Sequence, residues 1–475
     1  MTDSTTHALA SFVAETQFKD LLPEVVHETK RILLDILGCA LGSVNLAKGA
    51  IAIELARQTG GRPQSTVIGT RERVAPALAA FANGELMNAL DYCPLLPPNH
   101  ITAFVTPAAL ALAEAQKASG PSLIVAVALA HEVASRIGQS LDAFRENGGG
   151  VAARWGLGFD QFGAAAGAGK MLNLDVMAMS DALGLSGYFA AVPSHNKFLL
   201  TPQGGGLAKY GSAGWAAQGG VTAAQLAALG YEGDRSVLEG DNGFWAMAGS
   251  RTFNSEKITG RLGQHWNLLR VTYKRWPCCG LFQSPLGAFT NLIERHGLQA
   301  DEIESVLVRN EANGRLPRFC YTEVRNHVDA QTNLPYNVAL TAHRVEVGAT
   351  WQNDENLNNA SVRAFMAKVR FEPYPRSDEA RHQELVVEGR PFIERRPSAV
   401  EVVARGQVFS EVVEYAKWLS VDNPQFRATD EDLAVKFRAN AKATLGPSAV
   451  DRVIDRVMNL DQCNDVSELM ADLIP

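Results

Sequence analysis

Cysteine is scarce and scattered in this chain of 475 residues: Cys39, Cys93, Cys278, Cys279, Cys320 and Cys463 form no Cys-x-x-Cys pair and no Cys/His zinc spacing. A disulfide framework and a thiolate-bound metal are therefore not expected. No run of lysine and arginine occurs, and the formal net charge of -7 comes from dispersed acids rather than a tail, which argues against nucleic acid and membrane surfaces as partners. No apolar stretch reaches the length of a membrane span without a charge or a break. The opening residues, MTDSTTHALASFVAETQ, lack a basic region followed by an apolar one, so a cytoplasmic location is expected. Internal repeats and low-complexity tracts are missing too. Gly204-Gly205-Gly206 has no Gly-Lys-Ser/Thr after it and no clear strand before it, and reads as a flexible helix entry rather than a phosphate loop.

What is present is helix-rich. Apolar positions over Glu24–Leu41 follow a 3.6-residue period, and residues 48–59 repeat the pattern up to Gly60-Gly61. Ser65–Gly69 reads as a short extended piece. Pro76 opens an alanine-rich helix to Leu90, Thr106-Pro107 is expected to start another, and residues 122–141 are apolar on nearly all sides, as in a buried core helix. Residues 160–173 and 205–229 are dense in glycine and alanine, which suits central helices packed at short distance. After about residue 268, β-branched alternation over Val306–Asn310, Lys368–Pro373 and Ala399–Val408 predicts strands between helices at Ala330–Val347 and Ser361–Ala367. Thr429, with Asp432 three residues on, predicts an N-capped helix, and Gly446-Pro447 and Asn464 punctuate two short closing ones. The expectation is a mainly α protein. A large all-helical domain is built from both chain ends (1–267 and 410–475), with a smaller α+β domain inserted at 268–409.

The most informative stretch is Asn88–His100. Pro94, Pro97 and Pro98 remove backbone donors and fix φ, so residues 93–99 form a stiff loop between two helices, with Asp91 before it and His100 after it. A carboxylate and an imidazole held this way suit general acid–base chemistry, although Asp91 as a helix cap and His100 as an ordinary histidine at a helix start is the competing reading. Lys209 lies in the glycine/alanine-rich segment, where an ammonium either faces a partner or snorkels to the surface. Tyr273-Lys274-Arg275-Trp276-Pro277-Cys278-Cys279 sets two cations beside a proline-fixed turn, a candidate carboxylate clamp, and its cysteine pair reads as core packing. Arg154, shortly after a glycine triplet, is either another anion contact or a surface turn. Tyr321 and His195 are further candidates.

In order and spacing these segments resemble the MmgE/PrpD family, whose members dehydrate, decarboxylate or epimerise small carboxylates. The resemblance runs over most of the chain through Leu34-Asp35 to Gly38-Cys39, Asn83-Gly84, Leu90-Asp91-Tyr92, Phe162-Gly163, Lys209 to Gly219, Leu238-Glu239-Gly240, Lys274 to Cys279 and Ala330-Gln331 to Leu334-Pro335-Tyr336. It implies a helical domain with a smaller α+β lid, a homodimer, and catalysis with no metal and no organic cofactor. It also implies that Asp91, His100, Lys209 and Lys274 occupy catalytic positions, with Arg275, Arg154, Tyr321 and His195 as candidate substrate contacts. Against the family pattern, Cys93-Pro94 replaces a second acid, Ile101-Thr102 replaces Pro-Ser, Ala152-Ala153-Arg154 replaces Gly-aromatic-His, and Gln283 stands where a histidine is usual. The expected function is a cofactor-independent lyase that dehydrates or decarboxylates a small di- or tricarboxylate. The alternatives are an epimerase using the same α-proton abstraction and a carboxylate-binding protein without catalysis.

Overall fold

The computed structural model describes residues 4–98, 100–141, 158–191, 195–202, 206–250, 252–321 and 323–475. Most of them are helical, and the main sheet is small and mixed. The buried apolar side chains fall into two large clusters. One runs from Leu9 to Tyr273, takes in Val328 and resumes between Trp418 and Leu473; the other is drawn from residues between Trp276 and Ala404. The first is made of helices, among them Pro23–Gly42, Pro76–Ala89, Ile101–Ala115, Gly120–Ser140, Asp160–Met171, Ala213–Ala228 and Asp430–Ala441. The second packs helices Gln283–Arg295 and Leu334–Ala342 against four strands in the order Val369–Pro373, Ile303–Asn310, Ser398–Ala404, Gln407–Val413. The first pair is parallel (Val306 opposite Val369) and the other two antiparallel (Val308 opposite Val400, Val402 opposite Phe409).

Local signals explain most helix limits. Pro76 occupies the first turn of its helix, Gly60 follows Thr59 at φ 66°, and Thr429 and Asp432 form a reciprocal capping box. Gly120–Ser140 is long and apolar enough to cross a membrane by length and composition, but 89% of its apolar window is buried in the helical core. Its Glu132 and Arg136 pair at 2.6 Å.

Four expectations are corrected. The helix expected from Thr106 starts at Ile101, with Pro107 inside it. Burial of Ile101, Phe104 and Val105, and a 2.9 Å bond from Thr102 Oγ1 to the Pro94 carbonyl, sustain the turns ahead of the proline. The segment read as one helix from 205 begins its helix only at Ala213, where Ser212 caps it, and Lys209 sits before it at φ 58°. Ala399–Val408 is not one strand but the core of a hairpin, because Arg405 (φ 53°) and Gly406 (φ 66°) both take the left-handed conformation that a two-residue turn requires. Strand Gln407–Val413 consequently runs through residue 410, where the return to the helical domain was expected.

Candidate active site

The Pro76–Ala89 helix is capped by Leu90, and Asp91 follows in the left-handed region (φ 53°). Across from it, Lys209 also has a positive φ. The two segments are locked together by Glu85, whose Oε1 accepts from the Ser212 hydroxyl and, at 2.8 Å, from the Gly214 amide. They also approach closely: a Cβ on Gly84 would lie 2.9 Å from Gly214 Cα, so glycine is needed there. Lys48, 3.0 Å from Glu85, donates to Asn88 Oδ1, and Asn88 Nδ2 donates to the Tyr210 hydroxyl at 2.9 Å.

These contacts place Asp91 between two ammonium groups. Lys209 Nζ lies 3.2 Å from Oδ1 and Lys274 Nζ 3.2 Å from Oδ2, while Lys274 also donates to the Asp91 carbonyl at 2.7 Å. The Tyr210 hydroxyl donates to Oδ1 at 3.3 Å. Lys274 is carried by a segment zipped to the proline loop, since the backbones of Leu95 and Thr272 exchange two 2.8 Å hydrogen bonds. Burial alone would raise the Asp91 carboxyl, but Lys209 and Lys274 outweigh it and hold the group well below the usual carboxylate range. Burial lowers Lys209 to about 8 despite Asp91, whereas Asp91 outweighs burial at Lys274 and raises it.

His100, at the N-cap of Ile101–Ala115, is pushed well below its ordinary value by burial and then by Lys274, so it is a neutral imidazole at physiological pH. Its Nδ1 is 3.9 Å from Asp91 Oδ1 and 3.7 Å from Cys93 Sγ. The carboxylate-oriented histidine expected from sequence is therefore not a hydrogen-bonded pair, because the two lysines take the carboxylate oxygens. Rings of His100 and His195 both stack on Tyr210, at centroid distances of 4.7 and 5.4 Å. Burial lowers His195 to about 3, so it too is neutral.

Asp91, His100, His195, Lys209 and Tyr210 line one cleft of 320 Å³ between the helical and the α+β parts. Lys274 is fully buried behind Asp91 and acts on the cleft through it. Arg275 points away, with its guanidinium over the Trp276 ring at 4.8 Å. Tyr321 lines a separate cavity of 1020 Å³, where its hydroxyl donates to Glu323 at 2.7 Å. Arg154 lies outside the described residues. Gln283 is buried away from the cleft and pins the Trp276–Cys279 turn: its Oε1 accepts from the amides of Arg275 and Trp276, and its Nε2 donates to the Trp276 carbonyl. Cys278 is core, as expected, but Cys279 lines the cleft with its thiol pushed up to about 11 by burial and Asp91.

The cleft also carries groups that sequence reasoning missed. Arg270, Arg381 and Arg396 face the same cleft as Asp91. The available signal was the density of Arg376, Arg381, Arg390, Arg395 and Arg396 between Pro375 and Pro397, but nothing local tells which of them turn inward. Among the described residues, no three His, Cys, Asp or Glu side chains form a group that could hold a metal ion. The site thus offers a buried anion clamped by cations, two neutral imidazoles and a guanidinium-bearing wall, a set suited to moving protons beside carboxylates.

Family models for the MmgE/PrpD N-terminal and C-terminal domains match residues 7–256 and 276–462. The chain is 26% identical to a cis-aconitate decarboxylase of Aspergillus terreus, over 95% of this chain and 92% of that protein. It is 27% identical to the cis-aconitate decarboxylase of Homo sapiens, over 99% and 94%. With the two models together spanning most of its length, the chain belongs to the MmgE/PrpD family.

Proposed function

We propose that this protein is a lyase that removes carbon dioxide or water from a small di- or tricarboxylate, using its own side chains for proton transfer and charge stabilisation. The observation that carries the reading is the Asp91 carboxylate held at 3.2 Å by both Lys209 and Lys274, beside neutral His100, on a cleft that also bears arginines. Both reactions build negative charge on a carbon next to a carboxylate, and fixed cations in a dry cleft favour that charge. In decarboxylation of an unsaturated acid, the electron pair of the breaking C–C bond passes into the conjugated system and returns to carbon with a proton. Lys209, at about 8, is protonated at neutral pH and is matched to deliver that proton. In dehydration, neutral His100 takes the proton from carbon while an acid protonates the departing hydroxyl. The relatives named as cis-aconitate decarboxylases make decarboxylation of an unsaturated tricarboxylate the first arm to test. In this reading the α+β part is a lid over the helical part, and the working unit is a homodimer, which sedimentation equilibrium tests.

The deciding experiment incubates the protein with hydroxy-, amino- and unsaturated polycarboxylates in heavy water and follows proton NMR. Released carbon dioxide with one new C–D bond, or water loss with a new alkene, is the expected result. Deuterium at the α-carbon with scrambled stereochemistry and no new product would assign an epimerase instead. Binding without exchange or turnover across the panel would overturn the catalytic reading.

A further inference from the structure

Arg396 sits just ahead of strand Ser398–Ala404 and its backbone is fixed on both sides: its N–H donates to the Glu414 carbonyl at 2.9 Å, and its carbonyl accepts from the Ser284 hydroxyl. The side chain turns into the cleft that holds Asp91. There its Nη1 lies 3.2 Å from Oε1 of Glu311, a carboxylate only 5% exposed, whose other oxygen lies 3.8 Å from Arg381 Nε. One buried acid therefore orients two guanidinium groups in the cleft that also holds the lysine-clamped carboxylate. The Nε of Arg396 is itself buried and has no hydrogen-bond partner among the described residues. With Nη1 committed to Glu311, the adjoining Nε–Nη2 edge of the guanidinium is left as a planar pair of donors, which is the shape that receives a carboxylate bidentately. A buried donor without an acceptor is unfavourable, so an arriving carboxylate gains there what the free protein lacks. Asp91, Cys279 and Arg396 line the same cleft of 320 Å³.

We infer that Arg396 is the specificity-determining residue that binds a substrate carboxylate remote from the reacting carbon, and that Glu311 is the residue that positions it. This rests on the lyase reading above and deepens it: the cleft selects acids that carry one carboxylate for the Lys209 side and a further one for Arg396.

Calorimetry on the full chain tests this with two non-reacting probes, glutarate and butyrate, which differ by one terminal carboxylate. The wild type is expected to bind glutarate more tightly than butyrate. Arg396→Gln should weaken glutarate by about ten- to a hundredfold, the range for a lost hydrogen bond to a charged group, and collapse the ratio between the probes. Arg396→Lys keeps the charge but not the fork and should fall between the two; it decides the matter if the glutamine variant does not fold. With the substrate that is turned over, KM should rise by the same factor while kcat changes little, and Glu311→Gln should show the same split more weakly. A role confined to folding would instead lower kcat and the melting temperature and weaken both probes alike, which would overturn the inference. An unchanged ratio in both Arg396 variants would also overturn it while leaving the lyase reading standing. Failure of the wild type to bind either probe would remove the lyase reading and this inference together.

Discussion

Asp91 is the residue on which the site's electrostatics turn. Its folded-state pKa lies below the unfolded carboxyl value of about 4, so the stability it contributes is complete above that value and is lost as pH falls below it. Replacing it leaves two buried ammonium groups without their counter-charge. Asp91→Asn is expected to abolish turnover and to lower unfolding free energy in urea by about 3–5 kcal/mol, as for a broken buried ion pair. In the proposed mechanism Lys209 sets the pH dependence of the reaction. Since burial lowers it to about 8, kcat should fall as pH rises through that value, and a rate that stays flat well above it would remove Lys209 from proton transfer. His100 is already neutral at physiological pH, so its protonation adds no limb between pH about 6 and 7, near the unperturbed imidazole value. His100→Ala should abolish turnover with the circular-dichroism spectrum unchanged.

The helices of the core cross at distances that only small residues permit. A Cβ on Gly220 would lie 2.5 Å from the Ala164 Cβ and 2.7 Å from the Ala165 amide, both on a neighbouring helix with little room to yield. Gly220→Val should therefore destabilise the protein by about 1–3 kcal/mol through overpacking, read as a lower urea midpoint. At the far end of the chain, Thr429 accepts from the Asp432 amide while Asp432 accepts from the Thr429 amide. Thr429→Ala should cost about 1 kcal/mol and leave kcat unchanged, because the cap is remote from the cleft. The cap and the proline and glycine helix limits were readable in sequence because they depend on a few adjacent residues. Pro107 was misread for the complementary reason: a proline usually marks a helix start, but here buried Ile101 and Phe104 sustain the turn before it.

Across the whole molecule, Lys436 joins four distant stretches of chain. Its ammonium lies 2.7 Å from Asp35 Oδ1, donates to the carbonyls of Tyr92 and Lys274 at 2.8 and 3.2 Å, and sits 3.6 Å over the Tyr92 ring. Through it, a helix near the C-terminus holds the loop that carries Asp91 and the segment that carries Lys274. Lys436→Met should lower stability by about 3–5 kcal/mol, because Asp35 is left buried and alone. The double variant with Asp35→Asn should recover part of the loss, and a double-mutant cycle in urea measures the coupling.

The sequence by itself determined the helix-rich class, the change to mixed structure after residue 268, and the four polar residues that converge on the site. These follow from hydrophobic period, punctuation by proline and glycine, and an ordered set of motifs, all of which are local or nearly so. Tertiary structure alone decided what those residues face. Arg275 looked like a site residue beside Lys274 and Tyr321 was a further candidate, yet one stacks on Trp276 and the other lines a different cavity. Lys274 acts from behind Asp91 rather than from the cleft wall, and Arg396, one of several arginines in its stretch, is turned inward by a buried glutamate 85 positions earlier in the chain. Which way a long charged side chain points depends on partners remote in sequence, and no local pattern encodes that choice.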